Sequence, residues 1–189
     1  MNFVPTPLGG AFLIEIDRRE DMRGFFARLW CREEFAAHGI AIDIVQASMS
    51  HNALAGTVRG MHFQLPPSRE AKLVRCDRGR IYDVIIDLRP DAPTYMRHFA
   101  VTLDAERRNA LYIPPGMAHG FQTLVAGSDV LYMMSDFYDA ALQAGVRWND
   151  AAFGINWPIA EVTILPRDAA YPGFDPAAFA AEYARRAAA

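Results

Sequence analysis

At 189 residues and 52% hydrophobic content, the chain can bury a sizeable core and is expected to form one domain over residues 1–189 without a disulfide staple. Its 19 basic and 22 acidic residues give a net charge of −3, and no Lys/Arg run supplies the electrostatic footprint of a nucleic-acid binder. Cys31 and Cys76 have no metal-ligand spacing around them, no signal-peptide pattern opens the chain and no apolar run is long enough to cross a bilayer, so a cytoplasmic protein with no membrane or nucleic-acid partner is expected.

From Ala11 to about Val162 the sequence reads as short strands between turns. Strands are predicted at 12–16, 24–30, 42–48, 58–63, 72–75 and 80–88, then at 97–103, 110–113, 120–124 and 130–137. One helix interrupts them at 31–38, where Glu33 and Glu34 occupy the first turns and Gly39 supplies the stop. Pro158, Pro166 and Pro172 mark 155–175 as an irregular strap packed over the strands, and the Ala-rich tail at 176–189 is predicted helical. Strand spacing of this kind means an antiparallel sandwich or barrel.

Two stretches carry candidate chemistry. The first runs Gly56-Thr57-Val58-Arg59-Gly60-Met61-His62-Phe63-Gln64, with Glu70 and Gly79 beyond; the second is Pro114-Pro115-Gly116-Met117-Ala118-His119. Both match the spacing of the two cupin motifs, and the fold class expected is therefore all-β, a cupin-type jelly-roll β-barrel with a few short peripheral helices. A metal cupin draws His-x-His and a Glu from the first motif and a His from the second. Gln64 stands where the second His belongs, which leaves too few donors for a divalent ion; neither a metal nor another cofactor is expected.

Longer matches surround these motifs: Asp21-Met22-Arg23-Gly24-Phe25-Phe26, Arg59 to Gln64, Lys72-Leu73-Val74-Arg75, Asp83 to Arg89, Ile113 to Phe121, Tyr132 with Tyr138, and Trp148-Asn149-Asp150 ahead of Ile155-Asn156-Trp157-Pro158. In this order they resemble the dTDP-4-dehydrorhamnose 3,5-epimerase family over roughly residues 10 to 170. The resemblance implies inversion of C3, C5 or both on a nucleotide-diphosphate-linked 4-keto-6-deoxy sugar. A ketone at C4 acidifies the neighbouring C–H bonds by delocalising the carbanion as an enolate, so the reaction needs a base on one face of the ring and an acid on the other. By resemblance His62 is the base, Asp168 the carboxylate that orients it, Tyr138 the opposite-face proton donor and Lys72 the charge that stabilises the enolate oxygen. Tyr132 lines the pocket, and His119 with Asp83 forms a second His/Asp couple. Strand alternation independently places Ile81, Asp83, Ile85 and Asp87 on one face, where carboxylates must be paired or solvated; Arg89 is a candidate partner.

For the substrate's diphosphate, Arg59 offers forked hydrogen bonds, with Arg23 and Arg167 as further phosphate candidates. The family pattern puts the base against the stretch holding Phe26 and against Gln46 and Ser48, often on strands lent by the partner subunit, and so implies a homodimer. Three positions depart from the pattern: Ser48 replaces Asn, Met133 replaces a Lys, and Arg28, which only donates, replaces a Glu that accepts. The departures leave the nucleotide open among dTDP, GDP, CDP and UDP. A 3,4-ketoisomerase of the same substrates and a non-catalytic sugar-binding cupin remain as alternatives.

Overall fold

The computed structural model describes residues 1–188; Ala189, the end of the expected tail helix, lies outside the described residues. In chain order the elements are β1 (Asn2–Pro5), β2 (Phe12–Glu15), β3 (Arg19–Asp21), β4 (Gly24–Phe26), α1 (Arg32–Ala37), β5 (Gln46–Asn52), β6 (Thr57–Gln64), β7 (Lys72–Arg78), β8 (Arg80–Asp87), β9 (His98–Asp104), β10 (Ala110–Ile113), β11 (Met117–Thr123), β12 (Ser128–Met134), β13 (Gln143–Gly145), β14 (Thr163–Ile164), α2 (Pro166–Ala169) and α3 (Pro176–Ala187). Two sheets face each other, one ordered β1-β2-β10-β7-β12-β5, the other β13-β6-β11-β8-β9 with β14 added alongside β6; β3 and β4 form a separate ribbon. This is the expected all-β jelly roll with short peripheral helices.

Both sheets are covered on both faces, which is why β7 is buried continuously from Leu73 to Cys76 and β8 from Asp83 to Asp87 instead of alternating cleanly. Between the sheets, Val74 and Cys76 of β7 meet Ile81 and Ile85 of β8, Leu103, Leu111, Phe121 and Val130. Outside the first sheet, Phe35 of α1 is fully buried against Phe3, Ile14, Leu73 and Tyr112. Outside the second, Met61, Phe63, Val84 and Ile86 are roofed by the strap and α3 through Ile155, Trp157, Phe174 and Phe179. A buried aromatic side chain such as Phe35 stabilises by roughly 2–3 kcal/mol.

Several boundaries differ from the sequence-based expectation, and hydrogen-bond partners explain them. β5 starts at Gln46, not residue 42, because its partner β12 ends at Met134, which pairs with Gln46; upstream, Ile42 packs into the cluster around Phe35. For the same reason β12 stops short of residue 137. The strand predicted at 24–30 ends at Phe26, since it pairs with the three-residue β3. β1, β3, β13 and β14 were not anticipated: each has four residues or fewer, too short for periodicity to register. The strap holds β14 and α2, so it is ordered as expected.

Candidate functional site

Between the sheets lies a cavity of about 340 Å³ lined from one side by β6 and β11, from the other by β5, β7 and β12, and closed in part by the strap at Leu165, Arg167 and Asp168. Arg59 and His62 both line it, although residues three apart stand on opposite faces of an unbroken strand. The conflict is resolved by a bulge. His119 pairs with His62 and Phe121 with Arg59, so β6 fits two residues where β11 has one, and this resets the alternation. The bulge needs two facing glycines: a Cβ on Gly60, whose φ is +126°, would lie 2.6 Å from the Gly120 Cα, and one on Gly120 would lie 2.8 Å from the Arg59 carbonyl oxygen.

The bulged His62 meets Asp168, with Nε2 to Oδ1 at 3.0 Å. Asp168 is brought there by α2, a single turn opened by Pro166, and is 1% exposed. Its other oxygen accepts the Gly60 N–H at 3.3 Å, and Arg167 donates to Oδ1. Burial alone would raise the Asp168 carboxyl, but the hydrogen bonds from His62, Gly60 and Arg167 outweigh it and hold it below the ordinary range. For His62 burial dominates: it lowers the imidazole below 6.5 against the pull of Asp168, with Lys72 and Arg167 lowering it further. With the Nε2 proton donated to Asp168, Nδ1 keeps its lone pair and is the nitrogen able to take a proton.

Lys72, first residue of β7, lines the cavity with Glu70, and its Nζ lies 3.2 Å from Glu70 Oε2. Glu70 had been visible only as a motif position. His119 Nε2 is 2.8 Å from Asp83 Oδ1, so the second couple forms; burial holds the Asp83 carboxyl above the ordinary range, opposed by His119 and Lys72. Asp87, by contrast, is paired with Arg89, Nη2 to Oδ2 at 2.7 Å.

The two tyrosines stand differently. Tyr132 comes from β12, packs edge-on to His119 with ring centres 6.1 Å apart, and places its hydroxyl 3.2 Å from Ser50 Oγ; burial pushes its phenol well above the ordinary value. Tyr138 lies beyond the end of β12 at the mouth, 58% exposed, donating to Gln143 Oε1 at 2.5 Å. Gln143 belongs to β13, the neighbour of β6, so the Tyr138 hydroxyl is held on the wall that carries His62, whereas Tyr132 projects from the facing sheet. Gln143 and Ser50 carried no signal in the sequence, since only the register brings them to the site.

Arg59 reaches the cavity with Nε bonded to Asn52 Oδ1 at 2.7 Å, and Ser48 and Arg167 also line it. Four of the expected binding residues are not part of its lining. Gln46 donates to Met134 Sδ, Arg23 pairs with Asp21 at 2.6 Å, Arg28 pairs with Glu34 at 2.8 Å, and Phe26 is 70% exposed on the β3–β4 ribbon. Among the described residues no group of three or more His, Cys, Asp or Glu side chains is placed to hold a metal ion, and no helix is long and apolar enough to cross a membrane. Cys76 is buried, its thiol pushed up to about 12, which makes it an inert packing residue.

Fold and site together define a class: a cupin-type isomerase that moves protons on and off carbon. The family model described as dTDP-4-dehydrorhamnose 3,5-epimerase matches residues 5–175. The dTDP-4-dehydrorhamnose 3,5-epimerase of Sinorhizobium fredii is 37% identical over 91% of this chain and 89% of its own length. The Bacillus anthracis enzyme of the same name, crystallised with TDP and PPi bound, superposes with a TM-score of 0.89 at 36% identity, covering 92% of this chain and 99% of that one. ChmJ, a 3'-monoepimerase from Streptomyces bikiniensis solved with dTDP as a His-to-Asn, Tyr-to-Phe double mutant, gives a TM-score of 0.83 at 30% identity, covering 89% and 85%. The chain belongs to the dTDP-4-dehydrorhamnose 3,5-epimerase family and is a nucleotide-sugar epimerase.

Proposed function

We propose that the enzyme acts on a dTDP-linked 4-keto-6-deoxy sugar and inverts the carbons flanking the ketone, with His62 as base and Tyr132 as the opposite-face acid. The observation that carries this reading is the placement of an Asp168-bound imidazole on one sheet and a half-buried phenol on the other, facing each other across one cavity. His62 Nδ1 takes the proton from C3 or C5, the electron pair moves onto the C4 oxygen as an enolate, and the Lys72 ammonium stabilises that charge. Tyr132 then protonates the same carbon from the other face. The phenol recovers its proton from water and His62 releases the one it took, so each inversion is proton-neutral.

The donor role expected for Tyr138 passes to Tyr132 on this reading, because a donor on the base's own wall returns the proton to the face it left. The histidine and tyrosine altered in ChmJ are separated by the same number of residues as His62 and Tyr132, which supports the assignment. Tyr138 instead shields the mouth. Arg59 takes the diphosphate, with Arg167 beside it. The relatives solved with TDP or dTDP support dTDP as the nucleotide, with Ser48 against the base.

The β3–β4 ribbon exposes Met22, Phe25 and Phe26, an apolar set that a monomer has no reason to display. We assign the ribbon to the cavity of a second copy, so that the active form is a homodimer and Arg23, Phe26 and Arg28 meet the nucleotide in trans. The chemistry is tested in deuterium oxide by proton NMR with dTDP-4-keto-6-deoxyglucose and its GDP, CDP and UDP counterparts. Wild type should exchange and invert at one or both carbons with the dTDP sugar, His62→Ala should do neither, and Tyr132→Phe should exchange without inverting. If Tyr138→Phe shows that last behaviour while Tyr132→Phe inverts normally, the donor is Tyr138; absence of exchange with all four nucleotides overturns the epimerase reading.

A further inference from the structure

Gly145 is a glycine for a reason unrelated to turns. Its φ lies outside the left-handed region, so its backbone suits any residue, yet a Cβ there would lie 2.2 Å from Cζ and 2.5 Å from the hydroxyl oxygen of Tyr171. The Tyr171 ring therefore lies directly across the Gly145 Cα. Gly145 is also the residue on β13 that pairs with His62 on β6. Across this gap the Tyr171 ring meets the His62 imidazole edge-on, centres 6.4 Å apart at 70°.

The position of Tyr171 is itself secured. It follows α2 by two residues, and its carbonyl oxygen accepts Arg147 Nε at 2.8 Å. The same short piece of strap thus presents Asp168 to one edge of His62 and an aromatic ring to another. An imidazole held only by one carboxylate can still swing about χ1 and χ2; one that also has a ring packed beside it, in a slot only glycine leaves open, has a single rotamer.

We propose that Gly145 and Tyr171 form a lock that holds the His62 imidazole in its Asp168-bound rotamer and excludes water from it, making Tyr171 a positioning residue for proton abstraction. This rests on His62 being the base. The ring does the work, through packing and exclusion of water; the hydroxyl is dispensable. The other charged or titratable groups around His62 are Asp168 and Arg167 of α2, Lys72 of β7 with Glu70 beside it, His119 of β11, which pairs with His62, Tyr132 of β12 and Arg59 on its own strand, with Tyr138 near Tyr171. None of them is altered by changing Tyr171 to another residue, so a change in His62 titration reports the lost cover. Because burial is the largest influence on His62 and lowers it, removing the cover moves it back up toward 6.5.

The test uses full-length protein with ring-labelled histidine, the His62 signal being identified by its loss in His62→Asn. In substrate-free protein, Tyr171→Leu and Gly145→Ala should both raise the pH midpoint of His62, and Tyr171→Phe should restore the wild-type midpoint. With the dTDP sugar, the first two should lower kcat on the order of tenfold, the scale expected from a slightly misplaced base, with KM changed less than about twofold. The Gly145→Ala, Tyr171→Leu double variant should be no worse than either single, since both remove one contact. A folded Tyr171→Leu protein with unchanged midpoint and kcat overturns the lock, and this variant decides the matter if Gly145→Ala fails to fold. Should wild type prove inactive on all sugars, the midpoints still decide the lock while the epimerase reading falls.

Discussion

Asp168 uses both carboxylate oxygens, one on the His62 imidazole and one on the Gly60 N–H of the bulge, so it orients the imidazole and fastens the strand that carries it. Asp168→Asn keeps the size and removes the charge. Since Asp168 raises the His62 pKa against burial, its loss lowers that pKa further and leaves a weaker base that is neutral to even lower pH. The sign follows: kcat should fall on the order of 10³-fold, while the acid limb of the pH–rate profile should move down, not up. Stopped-flow or NMR rates between pH 4 and 8 check both. At this scale His62, Arg59 and His119 stood in the cupin-like motifs, while Asp168, Lys72 and Asp83 came from the family resemblance; the fold brings the first five to the cavity wall and bonds Asp83 to His119. The choice between Tyr132 and Tyr138 as proton donor turns on where β12 ends and therefore on which wall each phenol occupies, which no local motif carries.

The bulge in β6 is what lets one strand offer both Arg59 and His62 to the same cavity. Strand periodicity alone puts the two on opposite faces, so the sequence identified the residues without supplying the geometry that unites them; Gly60 and Gly120 were the signal, as glycines inside strands mark bulges and close backbone approach. Gly60→Ala should destabilise the protein by about 2–4 kcal/mol, because its Cβ meets backbone, which cannot swing aside as a flexible side chain can, at a φ that L-residues rarely adopt. Urea unfolding measures this directly, and residual folded protein should bind dTDP more weakly as Arg59 shifts. Gly9→Ala, which meets nothing within 4 Å, is the control and should change stability by less than about 0.5 kcal/mol. Short elements escaped the sequence reading on the same ground: β13 and β14 exist because β6 offers an edge to pair with, which no local pattern in three or two residues can announce.

Across the whole molecule, the all-β class was legible because short strands between turns mean an antiparallel sandwich or barrel, which the cupin-like motifs narrowed to a jelly roll, whereas the grip on the nucleotide was legible only as names. Arg23 and Phe26 sit on the ribbon and Arg28 just beyond it, all outside the cavity of their own chain, and one protomer leaves them without the contacts the family resemblance implies. If the ribbon serves a second copy, two inactive proteins should repair each other. His62→Ala destroys the base of a cavity and a Phe26→Ala, Arg23→Ala double variant destroys the ribbon, so each homodimer has two defective sites. A mixed dimer with exchange in trans gathers both defects into one site and leaves the other intact. Unfolding the two proteins together and refolding them at equal amounts makes half the dimers mixed, with one good site in two, and so should restore about a quarter of wild-type activity. In cis, every protomer of the mixture keeps its own defect, and activity stays at the level of the separate variants. Sedimentation of the ribbon variant distinguishes a lost contact from a lost dimer: the same mixture can complement only if the variant still associates.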